Sequence, residues 1–410
     1  MKLVVRDVRA GGDGVLGTPA HAIVAPETLD EAAAALRGAA ERGQSVAFLG
    51  GGTELGLGYP PRRVDLLLKT TRLARIVEHA PFDLVVEVEA GITLSMLQRA
   101  LEPHGQRLAL DPPHPELATV GGLVATNAFG PRRMRYGGLR DLIVGVSLLR
   151  ADGVRVRGGG KVVKNVAGFD LPKLAVGSLG TLGMIATATF RLHPLPESAT
   201  LLRVGGCDAA QVRRIARELL ARQFEPAAFT AERTDGGYAC AVLFEGFAQG
   251  VDDQAERFER LAADLGFATE RPDDPGAAGL RDEAIRTRGD VRVRCSAPPA
   301  AFDLVERDVL APLASALDEA AAVCYPAVGA AFLSAYLRDA ERAAAAFARA
   351  RAAVEALGGN LVLLDARDRD FARRVDVYGA VPGSFALMRN LKDRFDPSHR
   401  LNAGRFIGGL

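Results

Sequence analysis

The chain has 410 residues, 48% of them apolar and 25% charged, with a formal net charge of +1. Such a length exceeds one ordinary core and sets an expectation of roughly two or three domains, and the composition excludes a disordered chain. A charge so near zero supplies no global field for nucleic acid or an acidic membrane, so any bound anion must be held by local geometry.

Strand and helix alternate through the first third. Pro26 to Arg42 reads as an amphipathic helix, with Leu29, Ala33, Leu36 and Ala40 on one face. Thr28 is its expected cap, Glu31 completes a capping box and Gly43 ends it. Ser45–Leu49 reads as a buried strand running into Gly50-Gly51-Gly52-Thr53. Further strands are expected at Val64–Leu68 and Leu84–Glu89, then a short helix near Thr93–Leu101. The run from Gly121-Gly122 through Ala128 to Gly130-Pro131 is rich in small residues and lacks helical periodicity. It reads as chain lying close to something flat or phosphorylated. Leu142–Arg150 and Val154–Arg157 flank a tight turn at Ala151-Asp152-Gly153, and Met184–Leu192 alternates up to a boundary at Pro194 and Pro196.

The second half repeats an order of elements rather than letters. Strand Leu201–Gly205, helix Ala209–Arg222, strands Phe229–Arg233 and Tyr238–Glu245, helix Gln254–Leu265 and a short strand near Phe267 form one unit. Strand Val291–Cys295, helix Phe302–Leu317, strands Ala322–Pro326 and Ala331–Leu337, helix Arg342–Leu357 and strand Asn360–Leu364 form the next. This β-α-β-β-α-β order is ferredoxin-like, and two copies could share one antiparallel sheet with helices on one side. The Pro-, Asp- and Gly-rich Arg271–Gly279 is an expected exposed linker. Ser384–Leu410, a helix followed by FDPSHRLNAGRF, fits no third repeat and is expected to return to the first domain.

Cys207, Cys240, Cys295 and Cys324 form no C-x-x-C pair, which leaves no local zinc or iron–sulfur knuckle and favours buried thiols in a reducing compartment. The first residues lack the apolar core of a secretory signal, and no apolar run is long enough to cross a bilayer. A cytoplasmic protein is expected, docked on a membrane only through partners.

Several chemistries fail on spacing. Thr53-Glu54 stands where a Walker loop needs Lys-Ser/Thr, a Rossmann fingerprint would need glycine at Leu55, and Gly158-Gly159-Gly160-Lys161 is followed by Val162. Val176-Gly177-Ser178-Leu179-Gly180 lacks the first glycine of a nucleophile elbow. A Gly-Gly-Gly turn after a buried strand brings several amide N–H groups toward one phosphate, although alone it is more often a mere turn.

Taken together, FLGGGTELGLG, the GPRR segment with its spacing to Arg140-Asp141, and KNVAGFDLPKLAVGSLGTLG resemble the FAD-binding domain of the vanillyl-alcohol-oxidase-type (PCMH) flavoproteins. Within these, they are similar to smaller FAD-binding subunits of bacterial glycolate oxidases. The likeness covers residues 20–196 well, the terminal FDPSHRLNAGRF fairly, and the rest in architecture. It implies an α+β fold: a PCMH-type domain of two α/β subdomains over 1–196, a cap of duplicated ferredoxin-like units over 197–380, and a returning segment, 381–410. It puts the diphosphate at Gly50, Gly51, Gly52 and Thr53, and the flavin and diphosphate along Asp111, Pro112, Thr119, Gly121, Gly122 and Asn127. Gly183 and Ile185 fall beside the adenosine, and Asn165 and Asp170 border the flavin, Asp170 reading equally as a turn acid. Asn402, with Gly404 and Arg405, could close over the cofactor.

Relatives with covalent flavin often carry histidine just after the glycine turn, where Thr53 and Glu54 stand here, so a non-covalent FAD is expected. Larger relatives hold a metal with a histidine pair on the cap, whereas this chain has His21, His79, His104, His114, His193 and His399, none of them in the cap; no metal is expected. Arg132 and Arg133 are the candidates for gripping a substrate carboxylate, with a solvated surface pair as the equal alternative. The implied activity is FAD-dependent oxidation of a small 2-hydroxy acid, alongside a larger FAD-binding subunit and an iron–sulfur subunit. The other reading is a non-catalytic FAD-bearing assembly or electron-relay subunit of such a complex.

Overall fold

The computed structural model describes residues 6–7, 14–161 and 169–410. The chain divides into two compact units: residues 1–128, 138–194 and 380–410 form the first, and residues 129–137 and 195–379 the second.

In the first unit, β1 (Thr18–Val24) leads into α1 (Leu29–Glu41). Thr28 caps α1 by accepting from the Glu31 N–H at 3.2 Å, but the Glu31 carboxylate accepts from Glu27 N rather than from Thr28 N, so the expected reciprocal box is displaced by one residue. β2 (Val46–Leu49) and β3 (Val64–Lys69) follow, and β1 and β2 both pair parallel with β3. Such a strand is buried on both faces, which is why Val64, Leu66, Leu67 and Leu68 are all buried and Asp65 among them needs polar partners.

A second sheet is wholly antiparallel. β4 (Ile76–Ala80), unmarked in the sequence because it is an exposed edge, pairs with β5 (Val85–Glu89). Helices α2 (Leu94–Leu101) and α3 (Val120–Thr126) precede the hairpin of β6 (Ile143–Leu149) and β7 (Arg155–Gly159). β8 (Met184–Arg191) lies between β6 and β5, and its buried residues join both cores. Two-layer packing about each sheet gives the unit its pair of α/β subdomains. Helix α3 corrects the expectation that the small-residue run is non-helical. Thr119 caps it, accepting from Gly122 N, and its glycines let it press against Ala90, whose Cβ a Gly121 side chain would meet at 2.7 Å.

The second unit is a seven-stranded antiparallel sheet. Its first repeat holds β9 (Ser198–Cys207), α4 (Ala209–Ala221), β10 (Ala228–Thr234), β11 (Gly237–Gly246) and α5 (Ala248–Asp264). The fourth strand expected near Phe267 is reduced to one bridge, Arg203 with Glu270. A helix the sequence reading lacks, α6 (Ala277–Arg286), begins within the expected linker. The second repeat holds β12 (Val291–Ser296), α7 (Phe302–Val305, continuing through a π-turn at Glu306–Leu310 to Ala311–Ala316), β13 (Asp318–Tyr325), β14 (Ala330–Tyr336), α8 (Ala340–Ala356) and β15 (Asn360–Ala366). The two repeats meet through their second strands, where Ala231 pairs with Cys324 and Glu232 with Val323. All four cysteines are buried and free.

Alternate residues of these strands face opposite ways. Phe229, Phe244 and Leu333 lie toward the helices of the repeats, whereas Leu201, Leu243, Tyr325 and Phe332 lie toward the other face. That other face receives the strap 129–137 and α6: Tyr136 packs on Leu201 and Leu243, and Phe129 meets Tyr325 and Phe332 edge-on. After β15 the chain re-enters the first unit as α9 (Phe385–Phe395) and the tail.

Candidate cofactor site

In open α/β sheets, ligands collect beyond the carboxyl ends of parallel strands. In the first unit those ends are Leu49-Gly50 on β2 and Lys69-Thr70 on β3, and Leu49, Gly50 and Thr70 line an open cleft. The turn Gly50–Thr53, the Thr119 cap with α3, and the Leu179-Gly180 turn ahead of β8 wall it, with Asn402 and Arg405 from the tail.

The glycine turn has two separate reasons for its composition. A side chain on Gly50 would lie 2.2 Å from Thr119 Oγ1, and one on Gly51 only 1.7 Å from the Leu117 carbonyl oxygen. Those two glycines let the turn press against the segment that caps α3. Gly52 has φ +77°, a left-handed conformation, and a Cβ there would meet nothing closer than Leu49 Cδ1 at 3.7 Å. Among the described residues, the N–H groups of Gly50, Gly51, Gly52 and Thr53 donate to no protein acceptor. Four consecutive free donors beside one cleft suit a diphosphate, which needs many N–H groups and no bulk.

The tail is held rigidly. Asn402, φ +44°, donates from Nδ2 to the Leu179 carbonyl at 2.6 Å, while its backbone N–H donates to Val46 at 2.8 Å. Behind it lies a buried ion pair: Lys392 Nζ donates to Asp396 at 2.7 Å, to the Thr181 carbonyl at 2.7 Å and to the Leu401 carbonyl at 3.0 Å. Burial pushes the Lys392 ammonium below its usual range, with Asp396 opposing the shift. The sequence shows Asp396 within FDPSHRLNAGRF and Lys392 four residues before it, but not that the two are buried together.

Residues 20–159 match the FAD binding domain family (FAD_binding_4). This segment is an FAD-binding domain.

The chain is 35% identical over 262 residues to a D-lactate dehydrogenase of Archaeoglobus fulgidus, covering 60% of this chain and 57% of that protein. It is 37% identical to glycolate oxidase subunit GlcD of Bacillus subtilis (44% of this chain, 38% of that one) and 42% identical to subunit GlcE of Escherichia coli (31% and 37%). The chain thus spans less than two thirds of the length of each. A solved alkyldihydroxyacetonephosphate synthase shares the fold, with a TM-score of 0.70, 94% of this chain and 77% of that one covered, at 16% identity.

The cleft is the candidate cofactor site, and its lining fits FAD: the free amide donors of the glycine turn for a diphosphate, and the small or apolar Ala90, Ala125, Leu179 and Ile185, against which a flat ring can lie. Of the residues predicted to hold the cofactor, Gly50, Gly51, Gly52, Thr53, Thr119, Gly121, Gly122, Ile185 and Asn402 line this cleft. Asp111 and Pro112 are not among its lining residues. Asn127 is the left-handed C-cap of α3, φ +54°, and Gly183 packs where a side chain would lie 2.9 Å from the Leu149 carbonyl oxygen. Asn165 lies outside the described residues. Asp170 caps a short helical turn and pairs with Lys173, the turn-acid reading, and Lys161 pairs with Glu78. Thr70, Thr126 and Gly180 also line the cleft without having been predicted; the parallel pairing of β2 with β3 was the missing signal for Thr70.

The predicted arginine pair belongs to the second unit and divides there. Arg132 donates from Nε and Nη2 to one carboxylate oxygen of the buried Glu245, at 3.0 and 2.6 Å, while Tyr136 donates to the other at 3.2 Å. Arg133 forms no ion pair among the described residues and stacks over the Phe129 ring at 4.5 Å. The Phe129 carbonyl is in turn held by Arg286, which also approaches Asp282 and Tyr325. No group of three or more metal-ligating side chains occurs among the described residues.

Proposed function

We propose that this chain is the FAD-binding subunit of a 2-hydroxy-acid dehydrogenase of the glycolate-oxidase kind, active with partner subunits. The observation that carries the proposal is the row of free donors Gly50–Thr53 in a cleft also lined by small and apolar residues, in a chain whose curated relatives are named for D-lactate, glycolate and D-2-hydroxyglutarate. FAD, when bound, supplies a two-electron acceptor for hydride from the substrate's α-carbon.

The chain's own contribution is positioning and charge. Glu245 and Tyr136 hold Arg132 as a brace for the strap. Arg133, stacked and without an ion pair among the described residues, keeps its guanidinium for a substrate carboxylate, a group it can grip with two N–H donors.

With Thr53 and Glu54 after the glycine turn, FAD is held non-covalently. Acid precipitation of the yellow protein should leave the flavin in the supernatant; flavin in the pellet would overturn this.

A second reading, an assembly or electron-relay subunit that binds FAD without turning over substrate, is favoured by the lack of any histidine between His193 and His399 to take the hydroxyl proton. Anaerobic mixing of the purified chain with glycolate or D-lactate tests both. Bleaching of the visible flavin band by the chain alone supports a self-sufficient site. Bleaching of this chain's flavin only after the larger flavin subunit is added excludes a self-sufficient site and supports turnover or relay within the complex. No reduction of this chain's flavin in either case leaves an assembly role.

A further inference from the structure

We infer that Arg405 is a positioning residue for the diphosphate turn, acting on the turn's exit as β2 acts on its entry. The inference rests on FAD as cofactor and is independent of which hydroxy acid is oxidised. After Thr53 the chain makes two tight turns, Leu55 N–H to the Gly52 carbonyl and Leu57 N–H to the Glu54 carbonyl, at 3.1 and 3.2 Å. Turns of this kind, with no strand to hold them, would let the four donors at 50–53 wander. Arg405 prevents it. Its Nη2 donates to the carbonyls of both Leu55 and Leu57, each at 2.7 Å, the short distance expected of a charge-assisted bond.

The arginine is itself fixed. It is 4% exposed, its N–H donates to the Asn402 carbonyl at 3.1 Å, and its carbonyl accepts from Tyr59 N–H at 3.0 Å. Asn402 is anchored in turn to Val46 and Leu179, so the brace runs from the sheet through the tail to the turn. The guanidinium also lines the cofactor cleft, which adds positive potential at the anion-binding end without needing to touch the phosphates. Preorganised donors lose less ordering entropy when a ligand arrives, and that is the source of the affinity Arg405 provides.

The test uses apo-protein prepared from the full chain. The dissociation constants of FAD and of ADP are measured for wild type, Arg405→Met and Arg405→Lys, with amide hydrogen exchange followed by peptide. For Arg405→Met, both constants should rise by the same factor, about tenfold or more. Exchange should accelerate in residues 50–57 and not elsewhere in the unit. Arg405→Lys, which keeps the charge and reaches fewer acceptors, should recover part of both effects. FAD and ADP affinities within about twofold of wild type would overturn the inference. So would exchange that accelerates evenly across the unit with a lower unfolding midpoint, because Arg405 would then be a packing residue only.

Discussion

Arg132 and Glu245 form a two-pronged ion pair across 113 residues of sequence, with the carboxylate almost wholly buried and Tyr136 on its second oxygen. This pair separates two arginines that are neighbours in the chain into a structural one and an available one. Arg132→Met would leave Glu245 buried without its charge partner and should destabilise the protein by about 3 kcal/mol, read by urea unfolding. Arg133→Met should stay within about 1 kcal/mol of wild type, yet raise the hydroxy-acid concentration needed to reduce the flavin. Equal stability losses in the two variants would contradict the division.

Gly51→Ala should yield a protein with little flavin. The added methyl would sit 1.7 Å from the Leu117 carbonyl oxygen, so the turn or the segment ahead of Thr119 must move. The ratio of visible flavin absorbance to protein absorbance after purification measures the loss. Gly43→Ala is a control for overall folding: Gly43, φ +62°, has nothing near its Cβ position and lies away from the cleft, so its variant should keep its flavin.

The buried Lys392–Asp396 pair gives a double-mutant test. Lys392→Met leaves an unpaired buried carboxylate and should cost about 3–5 kcal/mol in chemical denaturation. Adding Asp396→Leu should return much of that loss, because two apolar groups no longer need each other's charge. Additive losses would show that the bonds to the Thr181 and Leu401 carbonyls matter more than the pair.

Asp65 makes the first unit acid-sensitive. Burial alone would raise its pKa, but the Ser45 N–H and hydroxyl, with His21 and Arg63, outweigh it and hold the carboxyl below its usual range. A depressed carboxylate pKa contributes stability that is present above the unfolded value, about 3.9, and is lost as pH falls through the folded value. Asp65→Asn should therefore cost about 1–2 kcal/mol at neutral pH and flatten the loss of stability below pH about 4, measured by thermal unfolding across pH.

Much of this architecture is written in short-range chemistry. Thr28 ahead of α1 is readable because a cap and its helix are neighbours, and the duplicated β-α-β-β-α-β order is readable because periodicity marks each strand and helix in turn. Gly50–Thr53 is readable too, since only a few structures need three glycines straight after a buried strand. Helix α3 is not: Gly121 and Gly122 are poor helix formers, and what makes the helix is the Thr119 cap together with Ala90, a contact with β5 that no local pattern announces.

The same boundary runs through the site. Residue types and the family resemblance together pointed to a phosphate-bearing cofactor on the glycine turn and to an arginine pair as candidates for a carboxylate. Which arginine is braced by Glu245, why Asn402 and Arg405 belong to a cleft some 350 residues away in the chain, and how Lys392 can be buried were decided by the folded chain. Each depends on a partner brought from afar. Burial is what turns such meetings into strong bonds, because a charge taken out of water must find its partner within the protein.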